Sequence, residues 1–149
     1  MEQVAIGVGV TMLCILVSGL GFWVAEVAFT HSRGWLRARL HSLKLFAVVI
    51  GTGALVLAVV LAGVAIWGMV LAWYRIFPSF RESFYFALVS YTTVGYGEVL
   101  PPAEWRLLGA MAAANGFINI GLLTTLLIEG LGHVRTGYHR TVHGDDPDD

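Results

Sequence analysis

Three apolar runs set the terms for this chain. They extend from Val4 to Phe29, from Leu45 to Tyr74 and from Trp105 to Leu131. Each exceeds the roughly 20 residues that a helix needs to cross the hydrocarbon core of a bilayer. Backbone in lipid must satisfy its own N–H and C=O groups, so runs of this length predict membrane-spanning helices. Composition agrees: 57% of the 149 residues are hydrophobic and 13% charged, which leaves no material for a large water-exposed domain. The first run lacks a basic segment ahead of it, Glu2 being its only early charge. It also outruns the apolar part of a signal peptide, and it reads as a retained helix. The second run is longer than a span requires and is expected to tilt or to project past the lipid.

Charge then orients the spans. The first connector carries Arg33, Arg37, Arg39 and Lys44, and the tail carries Arg135 and Arg140, whereas only Arg75, Arg81 and Arg106 flank the second connector. Basic residues favour the cytoplasmic side. A multi-pass protein of the cell membrane follows, with its N-terminus outside and its C-terminus in the cytoplasm. Trp73, Tyr74 and Trp105 are expected at the outer boundary and Trp35 at the inner one. A net charge of −1 argues against nucleic acid as a partner. The single cysteine, Cys14, lies inside the first run, excludes an intrachain disulfide and reads as a small packing residue. Residues 31–44 read as a basic interfacial helix, with Arg33, Arg37, Arg39 and Lys44 towards anionic lipid headgroups. Residues 132–149, ending in an Asp-rich stretch, read as a disordered cytoplasmic tail. His133, His139 and His143 in that tail lack acidic or cysteine companions at ligand spacing.

Between the second and third spans the chain must leave the membrane and return. Pro78 opens this connector and Pro101-Pro102 closes it. The stretch "SFRESFYFALVSY" is apolar and aromatic, enough for about three helical turns and too short to span. Ser79 and Glu82 stand at capping-box spacing, which predicts a helix starting there. The segment "YTTVGYGE" follows, Tyr91 to Glu98, with glycines at 95 and 97. A short non-spanning helix followed by a glycine-rich loop is the pattern of a re-entrant segment. Irregular backbone at that depth is tolerated only where protein buries it or a water-filled path runs past it.

The string Thr93-Val94-Gly95-Tyr96-Gly97 matches the filter sequence of potassium channels. On it, and on the two flanking spans, the chain resembles the potassium channel superfamily. The likeness is to the small prokaryotic type with an outer helix, a re-entrant pore loop and an inner helix. It covers about residues 44–131, and the first helix falls outside it. The resemblance implies that the carbonyls of Thr93, Val94, Gly95 and Tyr96, with the Thr93 hydroxyl, replace the water shell of a K⁺ ion, and that Val94 and Tyr96 brace the loop. Gly95 and Gly97 supply the positive φ that such a strand needs. One chain then contributes one quarter of each ion cage, so a homotetramer is implied. Departures accompany the match. Glu98 stands where the family usually has aspartate, Tyr85 and Phe86 where it usually has tryptophans, and Val89 where some members carry an acidic group.

On a helical wheel of the third run, Asn115, Ile118, Leu122, Thr125 and Glu129 share a stripe, assigned to the cavity and inner mouth together with Thr92; Asn115 is alternatively a bond to a neighbouring helix. A ring of Glu129 carboxylates would concentrate cations there, against the plainer reading of a solvated interfacial glutamate. Gly109, Ala112, Ala113 and Gly116 form a small-residue face, assigned to the outer helix through Ala54, Ala58 and Ala62. Gly116 is the hinge candidate, equally readable as a packing glycine. Gly7, Gly19 and Gly21 would pack the first helix against the rest.

The fold class is thus an all-α membrane protein: three transmembrane helices plus a re-entrant pore helix and filter loop, assembling as a tetrameric channel. Its parts are an additional N-terminal helix (1–30), the interfacial helix (31–44), the pore domain (45–131) and the tail (132–149). The function expected is passive, selective K⁺ conduction, with K⁺ as the permeant ion and no cofactor. A less selective cation channel and a non-conducting regulatory or anchoring subunit are the alternatives. No polar constellation beyond the filter suggests an enzyme.

Overall fold

The computed structural model describes the backbone of residues 1–36 and 41–142, and the side chains of residues 1–28, 30, 46–125, 127 and 128. Among these, all regular structure is helical: α1 (Glu2–Leu36), α2 (His41–Trp73), α3 (Phe80–Tyr91) and α4 (Arg106–Val142), with one 3-10 turn, Ala103–Trp105, leading into α4. Three stretches are long and apolar enough to cross a membrane, Glu2–Ala28, Phe46–Trp73 and Ala103–Thr125. They reproduce the three runs. α3 has 12 residues, about 18 Å at helical rise, and cannot span. Pro78, Pro101 and Pro102 all fall between helices, where a missing N–H and a fixed φ do no harm.

The turn from α2 to α3 is built by a left-handed residue. Arg75 has φ 50°; its N–H donates to the Ala72 carbonyl at 3.0 Å, and that of Ile76 to Leu71 at 3.1 Å. This is a Schellman termination with arginine where glycine is usual. Leu71 and Ile76, the pair that makes its apolar contact, are both buried. α3 starts as the capping pattern predicts: the Ser79 hydroxyl accepts from the Glu82 N–H at 3.2 Å.

Packing places α3 between α2 and α4. Gly68 and Gly63 of α2 meet Phe84 and Tyr91, while Gly109 and Gly116 of α4 meet Phe86 and the backbone of Tyr91. The two glycines of the small face of α4 therefore receive the short helix, and Ala54 and Ala58 of the alanine stripe of α2 are exposed. Aromatic rings close the connector end, with Tyr74 and Trp105 5.5 Å apart and Phe77 and Phe86 5.0 Å apart. α1 lies against both α2 and α4, through Gly21 on Val59 and Gly7 on Met111. Gly19 faces open space, so two of the three glycines expected to pack α1 do so. The Gln3 amide donates to the Glu104 carbonyl, which puts the start of α1, the start of α4 and the α3 connector at one end of the bundle.

Two boundaries differ from the sequence reading. α4 runs on to Val142, past the expected end at Leu131. Hydropathy ends there, but no proline interrupts the backbone ladder before Pro147, and a helix outside lipid needs none of that hydropathy. The separate helix expected over 31–44 is likewise not what the described backbone gives: 31–36 finish α1 and 41–44 begin α2. Residues 37–40, with Arg37 and Arg39, and the side chains of Arg33 and Lys44 lie outside the described residues, as does 143–149.

Candidate functional site

The loop after α3 alternates in hand. Thr93 has φ 61°, Gly95 φ 59° and Gly97 φ 77°, while Val94 and Tyr96 between them are not left-handed. Alternation of this kind turns successive peptide planes so that carbonyl oxygens gather along one side of the strand. Glycine takes such φ values freely. For the β-branched Thr93 the same conformation costs about 1–2 kcal/mol.

Four amides hold it there. The N–H groups of Thr92 and Thr93 donate to the carbonyls of Leu88 and Ser90, and those of Val94 and Gly95 both donate to Val89, all at 3.0–3.1 Å. The loop's donors are thus spent on the orphan carbonyls at the end of α3. Its own carbonyls, from Thr93 to Tyr96, accept from no N–H or hydroxyl among the described residues. The Thr92 hydroxyl is turned back to the Leu88 carbonyl at 2.6 Å. At the far end the Tyr85 hydroxyl donates to Glu98 Oε2 at 3.1 Å, tying the residue after the last filter glycine to the side of α3. Desolvation, then the bond and charge of Glu98, hold the Tyr85 phenol above its ordinary range, so it remains the donor.

The loop is bare within one chain. Val94 is 53% and Tyr96 69% exposed, so the surface expected to brace them is not in their own chain. On α4, Ile118, Leu122 and Thr125 are exposed along one side. Asn115 departs from the assigned stripe. It is buried and accepts from Asn119 Nδ2 at 3.0 Å, within its own helix. A wheel ignores height: at the level of Asn115 the rest of the bundle covers that side of α4, whereas Leu122 lies two turns further on, past the end of α3 at Tyr91. Glu129 belongs to α4, and its side chain is outside the described residues. Gly116 sits where α4 crosses the end of α3, and a Cβ there would stand 2.7 Å from Tyr91 Cα and overlap its carbonyl. That is a packing role.

Three residues escaped the sequence reading. Ser18, Tyr91 and Asn119 are buried together, and the signal for two of them was available as polar side chains inside apolar runs.

Spanning helices around a short helix whose loop turns its carbonyls to one side define a re-entrant-loop membrane protein. A family profile described as "Ion channel" matches residues 55–132, and the chain belongs to that ion channel family. Among curated relatives, potassium voltage-gated channel subfamily A member 2 of Xenopus laevis is 32% identical over 71 residues, 47% of this chain and 14% of that protein. Subfamily A member 7 of Homo sapiens is 32% identical over 71 residues, 47% and 15%. The voltage-gated channel protein shk-1 of Caenorhabditis elegans is 33% identical over 78 residues, 49% and 15%. The chain spans about one-seventh of the length of these relatives. No solved structure matches it.

Proposed function

We propose that four copies of this chain close around one axis as a potassium-selective channel that conducts K⁺ passively through the loop Thr93–Gly97. The observation that carries the reading is the alternation of hand at Thr93, Gly95 and Gly97. It leaves the carbonyls of Thr93, Val94, Gly95 and Tyr96 unpaired and aligned, ready to replace the hydration shell of a cation. The names of the relatives support potassium as that cation. Exposed Val94 and Tyr96 support partners from neighbouring copies, because a single loop encloses nothing. The carboxyl-terminal end of α3 adds a negative dipole behind the loop, which favours a cation over an anion.

Ions would enter from the Glu98 side, pass the carbonyl sites in single file and leave past Ile118, Leu122 and Thr125 towards the level of Glu129. The excess of basic residues supports a cell-membrane orientation with the α1–α2 connector and the C-terminus inside and the N-terminus outside. Voltage sensing does not follow from the relatives' names, since no span carries arginine at every third position.

The test is reconstitution. Purified protein in liposomes under a K⁺ gradient should load a K⁺ tracer, and its native mass should correspond to four chains. A single-chain mass with no flux supports the anchoring-subunit reading instead; flux with equal uptake of Na⁺ supports the less selective channel.

A further inference from the structure

We propose that Asn119 is a positioning residue through which the N-terminal helix holds the base of the filter; this rests on the conduction reading above. Asn119 is fully buried near the middle of α4. Its Nδ2 donates to the Tyr91 hydroxyl at 2.7 Å and to Asn115 Oδ1 at 3.0 Å. Its Oδ1 accepts from the Ser18 hydroxyl of α1 at 2.6 Å. Both amide protons and one carbonyl lone pair are therefore engaged, and the partners lie on α1, α3 and α4. α2 completes the arrangement, because Gly63 leaves room for the Tyr91 phenol and a Cβ there would meet its ring. Four helices thus meet around the Tyr91–Asn119 pair.

Packing alone does not call for this. A leucine would fill the volume of Asn119 without placing an amide at membrane depth, where unpaired polar groups are costly. What the amide adds is a unique arrangement of its neighbours. Tyr91 is the last residue of α3 and precedes Thr92 and Thr93 directly. The carbonyls just before it, Leu88 to Ser90, are the ones that hold the amides of Thr92 to Gly95. A path of direct contacts thus runs from Ser18 through Asn119 and Tyr91 to the strained φ of Thr93.

The α1 end of this path is built to release. The Ser18 hydroxyl has a second acceptor within reach, the Cys14 carbonyl one turn back at 3.0 Å. If α1 moves away, Ser18 keeps a bond inside its own helix, while Asn119 Oδ1 loses its partner. The cost of separation falls on the filter side.

The test uses the full chain in planar bilayers, with Ser18→Ala, Tyr91→Phe, Asn119→Leu and the double variants. Ser18→Ala and Tyr91→Phe should each lower the fraction of time the filter conducts by about five-fold, the worth of one interhelical hydrogen bond. Single-channel conductance and native mass should stay at parental values, because the lining carbonyls and the packing are untouched. The two effects should not multiply in the double variant, and Ser18→Ala should have no effect in an Asn119→Leu background. If Asn119→Leu does not assemble, the Ser18–Tyr91 pair decides alone. Independent multiplication of the two effects, or parental open fractions in a conducting protein, overturns the inference and leaves the conduction reading standing. A parent chain that passes no ions overturns both.

Discussion

Gly116→Ala is the substitution on which the packing account is most exposed. The added Cβ would overlap the Tyr91 carbonyl oxygen and lie 2.7 Å from Tyr91 Cα. These are backbone atoms at the end of a helix, so no side chain can swing aside. Either α4 backs off by most of an ångström or the end of α3 is pushed towards the loop. Overpacking of this kind costs about 1–3 kcal/mol, and unyielding backbone puts the figure near 3. Against that, alanine gains up to about 1 kcal/mol over glycine in a helix, for a net loss of about 2 kcal/mol. The equilibrium between folded and unfolded chain should then fall about thirty-fold. Reversible unfolding in mixed micelles of rising SDS content measures this. Gly19→Ala is the internal control: nothing lies within 4 Å of its Cβ, so it should keep the helix gain and be slightly stabilised. Equal stability for Gly116→Ala and the parent would refute the close crossing of α4 over α3.

Three smaller predictions follow from single residues. Arg75→Gly should stabilise the chain by about 0.5–1 kcal/mol in the same assay, since glycine occupies the left-handed position without the Cβ penalty. Ser79→Ala should cost about 1 kcal/mol by removing the cap on the Glu82 N–H, visible as earlier unfolding of the connector by hydrogen exchange. Tyr85→Phe removes the bond to Glu98 and should reduce discrimination between K⁺ and Na⁺ by up to about five-fold in reversal-potential recordings. An unchanged reversal potential there would remove the brace from the account.

Features with a local cause were legible in the sequence. The spans followed from length and hydropathy, and Ser79 with Glu82 marked the start of α3 because a cap is a three-residue affair. The positive φ of Gly95 and Gly97 followed from what only glycine does cheaply. Thr93 shows the opposite case. Its β-branch argues against a left-handed conformation, and its own amide, tied to Ser90, and those of its neighbours, tied to Leu88 and Val89, hold it there. Asn115 fell on the exposed stripe of a wheel because periodicity gives direction around a helix and not what stands opposite at each height. Gly19 resembled Gly7 and Gly21 for the same reason: a small residue permits close approach and does not supply a neighbour. The Ser18–Asn119–Tyr91 chain joins residues 101 and 28 positions apart, separations at which no pattern in one sequence can pair them.

The central claim, that the unpaired carbonyls from Thr93 to Tyr96 take the place of water around K⁺, is tested most directly by the bi-ionic reversal potential of the purified, reconstituted protein with K⁺ on one side and Na⁺ on the other. The account predicts a potential displaced far towards the side that reports K⁺ permeation, and its collapse when Gly95 is replaced by alanine. A reversal near zero in the parent would mean that the loop does not distinguish the two ions, and would contradict it.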